Sequence, residues 1–494
     1  MTNQIQTHPS AAISKRAWTV AWLAIAAYAV VVAIMFPHRD WDADEFEHIQ
    51  SAWMISLGLT PYIDYFEHHT PLWDLLASRV FGTISPDSPE AASTLIVLLR
   101  AASFACSVLI VALTWRLARR AGGLIAALLA VVLLVTNYAF LAKGIEIRPD
   151  PLALVLVLVG ATSALRGLDA DRQGNGPAAA LAFAAAGAAL CLATLATQKV
   201  LFVLPGVAAA CLHLLLARGA ARRILPCAAW AIAGGLTCAL PMLAWFQARS
   251  GLLAFFHYNF FLNAGWERSP FLLYAFSLKY DGIFDILGLA GLGFAAWSLA
   301  RGRARPEVAM AAGIMMSVIA GGFVIPVVTS QYIMFAVPFA ATLAALATSS
   351  AFATIRQEWL RKLAACLAAV LLIAHAGRNG TRGLRLRDVE GQATLAYVIK
   401  TVPADQTVMG GWTPGIAFRK PAWFYYFPHD EIQAIIPQAD YRKLAAGIDN
   451  GTIRPALIDN DDALRQMPAD VRAAIEKRYQ PAGIANLWER KPGS

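Results

Sequence analysis

Charge is what this sequence has least of. Asp, Glu, Lys and Arg make up 15% of its 494 residues against 58% hydrophobic, and the mean hydropathy is +0.53. That balance excludes an ordinary soluble globular protein and implies a polytopic membrane protein. Cysteine is sparse too. All six (Cys106, Cys191, Cys211, Cys227, Cys238, Cys366) lie inside apolar runs and none shows CxxC spacing, so neither a disulfide framework nor a cysteine zinc site is indicated. The first apolar run, about Ala17 to Phe36, lacks a small-residue cleavage site and is too long for a signal h-region. It reads as a retained transmembrane helix. There is no internal repeat, and no membrane-length run follows Arg378. The net charge of +9 does not point to nucleic acid, because the arginines sit in short loops between apolar runs.

What is present is a succession of such runs. A crossing helix needs about 20 apolar residues, which predicts about eleven spans. They begin near residues 17, 94, 122, 150, 178, 200, 224, 283, 307, 332 and 363. Basic residues mark alternate loops: Lys15 and Arg16; Arg116, Arg119 and Arg120; Arg166 and Arg172; Arg218, Arg222 and Arg223; Arg301, Arg303 and Arg305; Arg356, Arg361 and Lys362. Placing these in the cytoplasm puts the first loop outside, and an odd span count puts the C-terminal tail outside as well. After Arg378 polar residues become frequent. QTVMGG (406–411) and PALIDN (455–460) read as strands, and DALRQMPADVRAAIEKRY (462–479) as one or two soluble helices. The expected architecture is a polytopic all-α membrane domain, 1–377, with a first outer loop over 38–93. A small C-terminal α/β extracytoplasmic domain follows over 378–494, of about 110 residues.

The polar residues concentrate in that first loop. WDADEFEHIQSAWMISLGLTPYIDYFEHHTPLWDLL (41–76) holds Asp42, Asp44, Glu45, Glu47, Asp64, Glu67, His48, His68 and His69. Phe46, Ile49, Trp53 and Leu57 recur at helical spacing before Gly58, and a second short helix is expected from Thr70-Pro71. Both are expected to lie as amphipathic helices along the membrane interface.

Ionisable residues at span ends are functional candidates because charge near hydrocarbon is costly. Each also has a structural explanation. Asp44, with Glu47 three residues on, reads as an N-cap in a near capping box. Asp150, before Pro151, reads the same way. Lys199 can snorkel to an interface, and His68 and His69 can be solvated loop residues. Their combination on one membrane face says more. Asp44, Glu67 and Asp150 offer a general base or metal ligands; Lys199 and Arg148 suit a phosphate. A base beside a phosphate-neutralising cation at a lipid–water boundary describes transfer from a lipid-linked phosphate.

The first loop resembles that of the GT-C glycosyltransferases, in particular bacterial relatives of protein O-mannosyltransferase and of lipid A aminoarabinose transferase. It carries their Asp-Glu pair as Asp44-Glu45, then Gly58, Pro61-Tyr62, Asp64, Phe66-Glu67, His69 and Pro71-Leu72 at the family's spacing. EIRPDPLAL (146–154), TLATQKVLFVLP (194–205) and QYIMFAVPFAATLAA (331–345) resemble three further family segments. Gln331 stands where Arg is common. The resemblance implies an inverting glycosyltransferase that uses a polyprenyl-phosphate sugar, with an envelope glycan, lipid or protein as acceptor. Asp44 would be the catalytic base, with Glu45 and Asp150 beside it. Lys199 and Arg148 would neutralise the leaving phosphate, and Glu67, His69, Tyr62 and Tyr332 would contact substrate. A divalent metal ion is the one cofactor suggested, with Glu67, His68 and His257 as ligands. Two other classes compete. A transporter or flippase of a lipid-linked sugar would place its charges near the bilayer midplane, often in two similar halves. A structural subunit of an envelope complex would have no need of Asp44.

Overall fold

The computed structural model describes residues 39–493, apart from 267–271, 326–327, 384–388, 411–413, 427–429, 460–461 and 485, together with isolated positions between 26 and 34. Among the described residues, eight helices are long and apolar enough to cross a membrane. That is fewer than the eleven spans expected, and the expected first span lies outside the described residues.

The polar loop 41–76 forms α1 (Ala43–Ser56) and α2 (Leu72–Phe81). Membrane-length α3 (Pro89–Thr136) has 48 residues, roughly 72 Å at the helical rise, more than twice a hydrocarbon core. It is not one rod. Gly123 breaks it at φ 81°, ψ −162°, a backbone conformation open essentially to glycine alone. Short α4 (Tyr138–Lys143) leads to α5 (Pro149–Arg172) and α6 (Gly176–Ala196). A 3₁₀ turn, Gln198–Phe202, separates α6 from α7 (Leu204–Leu216), and α8 (Ile224–Gln247) follows. The helices α6 and α8 meet through glycines. A Cβ on Gly187 would stand 1.7 Å from the Ala231 carbonyl oxygen, the close backbone approach that small residues allow in membranes. Then come α9 (Leu272–Ala300), α10 (Pro306–Gly322), α11 (Val337–Thr354) and α12 (Glu358–Gly383).

The centre of the bundle is α5, 67% buried over its most apolar window, against 6% for α12. Asp150, one of the residues expected at the site, therefore sits at the end of the innermost helix.

Beyond α12, which runs past residue 377 to Gly383, the chain forms α13 (Val389–Thr401), α14 (Gln438–Asn450) and α15 (Ala469–Arg478). Five short strands accompany them. Thr407–Val408 (β1) pairs in parallel with Lys420–Pro421 (β2). Leu457–Asp459 (β3), Tyr479–Pro481 (β4) and Leu487–Arg490 (β5) form an antiparallel sheet in the order β3-β5-β4, and a bridge between Met409 and Ile458 joins the two sheets.

This C-terminal segment corrects one expectation. The helix α1 is not an amphipathic helix lying on the membrane surface: Glu45 through Met54 are all buried. Phe46, Ile49 and Trp53 pack as expected on an apolar cluster, but that cluster includes Leu395, Ile399, Phe418 and Tyr426 of the C-terminal segment. The polar face of α1 is covered as well, and its groups find partners there. His48 Nδ1 is 3.2 Å from Asp74 Oδ1, Gln50 Nε2 donates to the Arg419 carbonyl at 3.0 Å, and the Tyr426 hydroxyl donates to the Glu47 carbonyl at 3.2 Å. A helix whose polar groups are hydrogen-bonded can be buried on all sides.

Candidate active site

The site begins with how α1 starts. The N-cap is Asp42, not Asp44. Asp42 Oδ1 accepts from the Asp44 amide at 3.1 Å, and Glu45 Oε2 accepts from the Asp42 amide at 3.0 Å. The sequence DADEFE offers two overlapping capping boxes, and the chain adopts the earlier one. Asp44 is thereby released from capping. Its carboxylate pairs with Arg148 and accepts from Gln331 Nε2 at 3.3 Å.

Glu45 turns the other way, into the protein. The Arg100 Nε of α3 donates to its Oε1 at 2.8 Å, and the Ile147 amide reaches the same oxygen at 3.0 Å. Arg100, fully buried, also donates to the carbonyls of Arg39 and Asp40. The pair ties the start of α1, helix α3 and segment 145–148 to one point.

That segment carries Glu146 and Arg148 and ends at Asp150 in the first turn of α5. Arg148 lies among four carboxylates: Asp44, Glu146 at 3.1 Å, Asp150 at 3.5 Å and Asp42 at 3.6 Å. Lys143 bridges Asp42 at 2.7 Å and Glu146 at 3.0 Å, and Arg39 reaches Glu146 at 2.7 Å. Burial by itself would raise the Asp44 carboxyl, but Arg148 and Lys143 outweigh it and hold it well below the usual carboxylate range. Burial would likewise raise Glu146, and Lys143, Arg39 and Arg148 bring it down to about 2.

Lys199 lies in the 3₁₀ turn where α6 ends. Its Nζ is 2.9 Å from Asp150 Oδ1, and its side chain is 20% exposed. It is a partner within the charge network rather than a snorkelling lysine. Asp150 is buried in the first turn of α5, where Arg148 occupies the N-cap position.

The remaining polar group is made by the loop 66–70. Glu67 Oε1 accepts from the amides of His68 and His69 at 2.9 and 3.0 Å, and its Oε2, 3.1 Å from the Tyr426 hydroxyl, shares that group's one proton with the Glu47 carbonyl. Glu47 Oε1 lies 3.2 Å from His68 Nδ1 and 3.6 Å from His69 Nδ1, and His69 Nδ1 is 3.2 Å from Glu67 Oε1. Burial would lower the His69 imidazole, but Glu47 and Glu67 push it up to about 10. Burial and the neighbouring His69 push His68 down to about 4. The two neighbouring imidazoles are thus shifted in opposite directions.

The ligand atoms of Glu47, Glu67, His68 and His69 all lie within 4.8 Å of one another, the one such group among the described residues. Two imidazoles and two carboxylates form a donor set that suits zinc. Of the expected ligands, Glu67 and His68 belong to it. His257 is exposed in a π-helical turn and does not; Glu47 and His69 stand in its place.

These residues face a cavity of about 550 Å³, lined by Asp44, Glu47, His68, His69, Arg148, Gln198, Lys199, Asn259, Asn263, Trp266, Gln331 and Tyr332 among others. Asp44, Arg148, Lys199, His69 and Tyr332 are therefore brought together. The hydroxyl of Tyr332 donates to the Val318 carbonyl. Glu45, Tyr62, Glu67 and Asp150 stand behind this wall. Tyr62, buried at φ 69°, donates its hydroxyl to the His69 carbonyl at 2.6 Å and so braces the histidine loop. Sequence reasoning passed over Arg100, Lys143, Glu146, Gln198, Asn259 and Asn263. For Glu146 and Lys143 the signal was present, as charges clustered at one span end; for Arg100, inside an apolar run, charge near hydrocarbon was the signal.

No protein-family model and no curated protein sequence matches the chain. Solved structures do. ArnT from Cupriavidus metallidurans bound to undecaprenyl phosphate superposes on 97% of this chain and 99% of that one, with a TM-score of 0.63 at 17% identity. The oligosaccharyltransferase of Archaeoglobus fulgidus in complex with Zn and sulfate matches 93% of this chain and 73% of its own, with a TM-score of 0.57 at 13% identity. AglB from Archaeoglobus fulgidus, in complex with an inhibitory peptide and a dolichol-phosphate, matches 94% of this chain and 69% of its own, with a TM-score of 0.56 at 12% identity. At these identities the likeness establishes the fold, and these structural neighbours are the GT-C proteins that the first outer loop resembles.

Proposed function

We propose that this chain is an inverting glycosyltransferase, moving a sugar from a polyprenyl-phosphate donor to an envelope glycan, lipid or protein. The observation that carries the reading is one cavity holding the Asp44 carboxylate and the Lys199 ammonium, on a fold whose neighbour ArnT binds undecaprenyl phosphate. Residues 1–377 would form the transferase domain and 378–494 an extracytoplasmic domain. The arginine asymmetry supports an outward-facing site on the bacterial inner membrane.

In the reaction, an acceptor hydroxyl oxygen attacks the anomeric carbon from the face opposite the phosphate. The new C–O bond forms as the bond to phosphate oxygen breaks, and the electron pair leaves on the polyprenyl phosphate. A single displacement inverts the anomeric centre. Asp44 accepts the hydroxyl's hydrogen bond and then its proton. A carboxylate held ionised by Arg148 is a weak base towards a free alcohol. The proton therefore moves late, once C–O bond formation has made the hydroxyl acidic. Lys199 meets the charge growing on the phosphate. Arg148, encircled by carboxylates, orients Asp44, and Asp150 holds Lys199. Glu45 acts through Arg100 and Ile147, as a positioning residue.

Glu47, Glu67, His68 and His69 would hold a divalent cation, which when bound supplies positive charge to an anionic group in the cavity. The transporter reading is weaker, because the charges gather at span ends on one face rather than at the midplane.

The test is to incubate purified full-length protein with radiolabelled polyprenyl-phosphate sugars and envelope acceptors. Acceptor-dependent release of label from a donor supports the reading. Folded protein that releases label from no donor contradicts it.

A further inference from the structure

The four candidate metal ligands are not held by their own segments alone. Glu47 belongs to α1, and Glu67, His68 and His69 to the loop 66–70. Residues 418–426 of the C-terminal segment lie against both. Gln50 Nε2 of α1 donates to the Arg419 carbonyl at 3.0 Å, and the Phe66 amide donates to the Phe424 carbonyl at 2.8 Å. Tyr65 meets Tyr426 edge-on, with ring centroids 5.7 Å apart, and Phe66 lies 5.2 Å from Tyr425. At the centre of this contact is the Tyr426 hydroxyl, 3.1 Å from Glu67 Oε2 and 3.2 Å from the Glu47 carbonyl oxygen. A phenol keeps its proton near neutral pH, so it is the donor to these oxygens. Glu67 is thereby gripped at both carboxylate oxygens: Oε1 by amides of its own loop, Oε2 by a residue 359 positions further on. Tyr426 is buried and does not line the cavity. It reaches the site only through the residues it holds.

We propose that Tyr426 is a positioning residue of the metal site, and that the C-terminal segment completes that site. The inference rests on the reading of Glu47, Glu67, His68 and His69 as cation ligands, and adds what sets their affinity. Four ligand groups must face one point before an ion can use them all. A carboxylate held at one oxygen only can still swing about its side-chain torsions. Hydrogen bonds from outside the ligand set fix that orientation, and their loss typically lowers metal affinity about 10- to 100-fold. The Tyr426 hydroxyl supplies such a bond across two segments. It joins the backbone of one ligand residue to the carboxylate of another. It takes one acceptor direction of Glu67 Oε2 and leaves the other for an ion. The coupling is reciprocal: if a docked C-terminal segment tightens the ion, the ion favours docking by the same factor. A bound cation then fastens residues 418–426 onto α1 and the histidine loop.

The test is the zinc affinity of the full-length protein in detergent, stripped with a chelator and then titrated against a competing chromogenic chelator. Tyr426→Phe keeps the ring and removes only the hydroxyl. It should weaken zinc binding by about 10- to 100-fold. Gln50→Met is the comparison, since it breaks the hydrogen bond from α1 to Arg419 and leaves the Tyr426 hydroxyl in place. Its zinc affinity should stay close to that of the wild-type protein. In the wild-type protein, zinc should also slow hydrogen exchange of the amides in 418–426, as reciprocity requires. An unchanged zinc affinity in Tyr426→Phe overturns the proposal. So does equal weakening by the two variants, which would make docking in general the cause and not the hydroxyl. Should Tyr426→Phe not fold, the exchange measurement stands alone, and rates over 418–426 that are indifferent to zinc overturn the proposal. Wild-type protein that binds no zinc is a different failure: it removes the metal site itself and leaves the transferase reading standing.

Discussion

Asp44 and Arg148, 104 residues apart in the chain, form an ion pair at the wall of the cavity, and Gln331 reaches the same Asp44 oxygen at 3.3 Å. Three segments far apart in the chain thus converge on one carboxylate. Because Asp42 caps the helix in its place, that carboxylate is available for chemistry.

Lys199 is expected to hold the donor phosphate. Removing a hydrogen bond to a charged group costs about 1.5–3 kcal/mol. Lys199→Met should therefore raise the donor dissociation constant by about 10- to 100-fold, and should also lower the melting temperature, since the buried Asp150 carboxylate loses its closest cation. Lys199→Arg should recover part of the loss, since its planar fork is not equivalent. The measurement is turnover at limiting donor, and an unchanged value there takes Lys199 out of the site.

Arg100 is expected to matter for stability. Its guanidinium and the Glu45 carboxylate are both 1% exposed. Breaking one side of a buried pair costs about 3–5 kcal/mol because the other charge is stranded. Arg100→Leu should lower the melting temperature sharply. Lys362→Ala, which breaks a pair 74% and 69% exposed, should leave it unchanged. Equal shifts for the two variants would contradict the role given to Arg100.

The histidine loop predicts a pH dependence. Its neighbours raise His69 from the ordinary imidazole value of 6.5 to about 10, so the folded state binds its proton more tightly than the unfolded chain does. That contribution is full below about pH 6.5 and is lost as pH rises through about 10. Chelator-treated protein should therefore melt at progressively lower temperature from pH 7 to pH 10. His69→Gln should flatten the slope. Zinc in excess competes with the proton and should flatten it too, by stabilising the protein most at high pH. A slope that His69→Gln leaves intact would assign it elsewhere.

Much of this was legible in the sequence. Apolar runs of membrane length gave the helix starts, because hydrocarbon thickness fixes that length whatever the fold. The loop 41–76 announced the site through its density of charge. Two things stayed hidden. DADEFE contains two capping boxes in different registers, and local preference does not choose between them; the buried Arg100 partner of Glu45 goes with the earlier one. The second was the cover over α1. Its polar face reads as solvent-facing until Arg419 and Tyr426, 369 and 379 residues further on, are known to lie against it. His257 was misplaced among the ligands for the same reason, since residue type says nothing of long-range position.

The arginines predict an orientation. In a cysteine-free background, single cysteines at Asp87 and Asn175 should differ. The one at 87 should react with an impermeant thiol reagent added to intact cells, and the one at 175 should not. Labelling of position 175 alone would invert the topology.

The most direct measurement is turnover of Asp44→Asn with a lipid-linked donor that the wild-type protein uses. Asp42 supplies the cap, so α1 should form normally, and the variant should insert, melt and bind donor much as the wild-type protein does. Asn cannot take a proton, and loss of general base catalysis costs about 100- to 10,000-fold. We expect a stable, donor-binding protein whose turnover has fallen by that factor. Near-wild-type turnover in the same variant would contradict the assignment of Asp44 as the base.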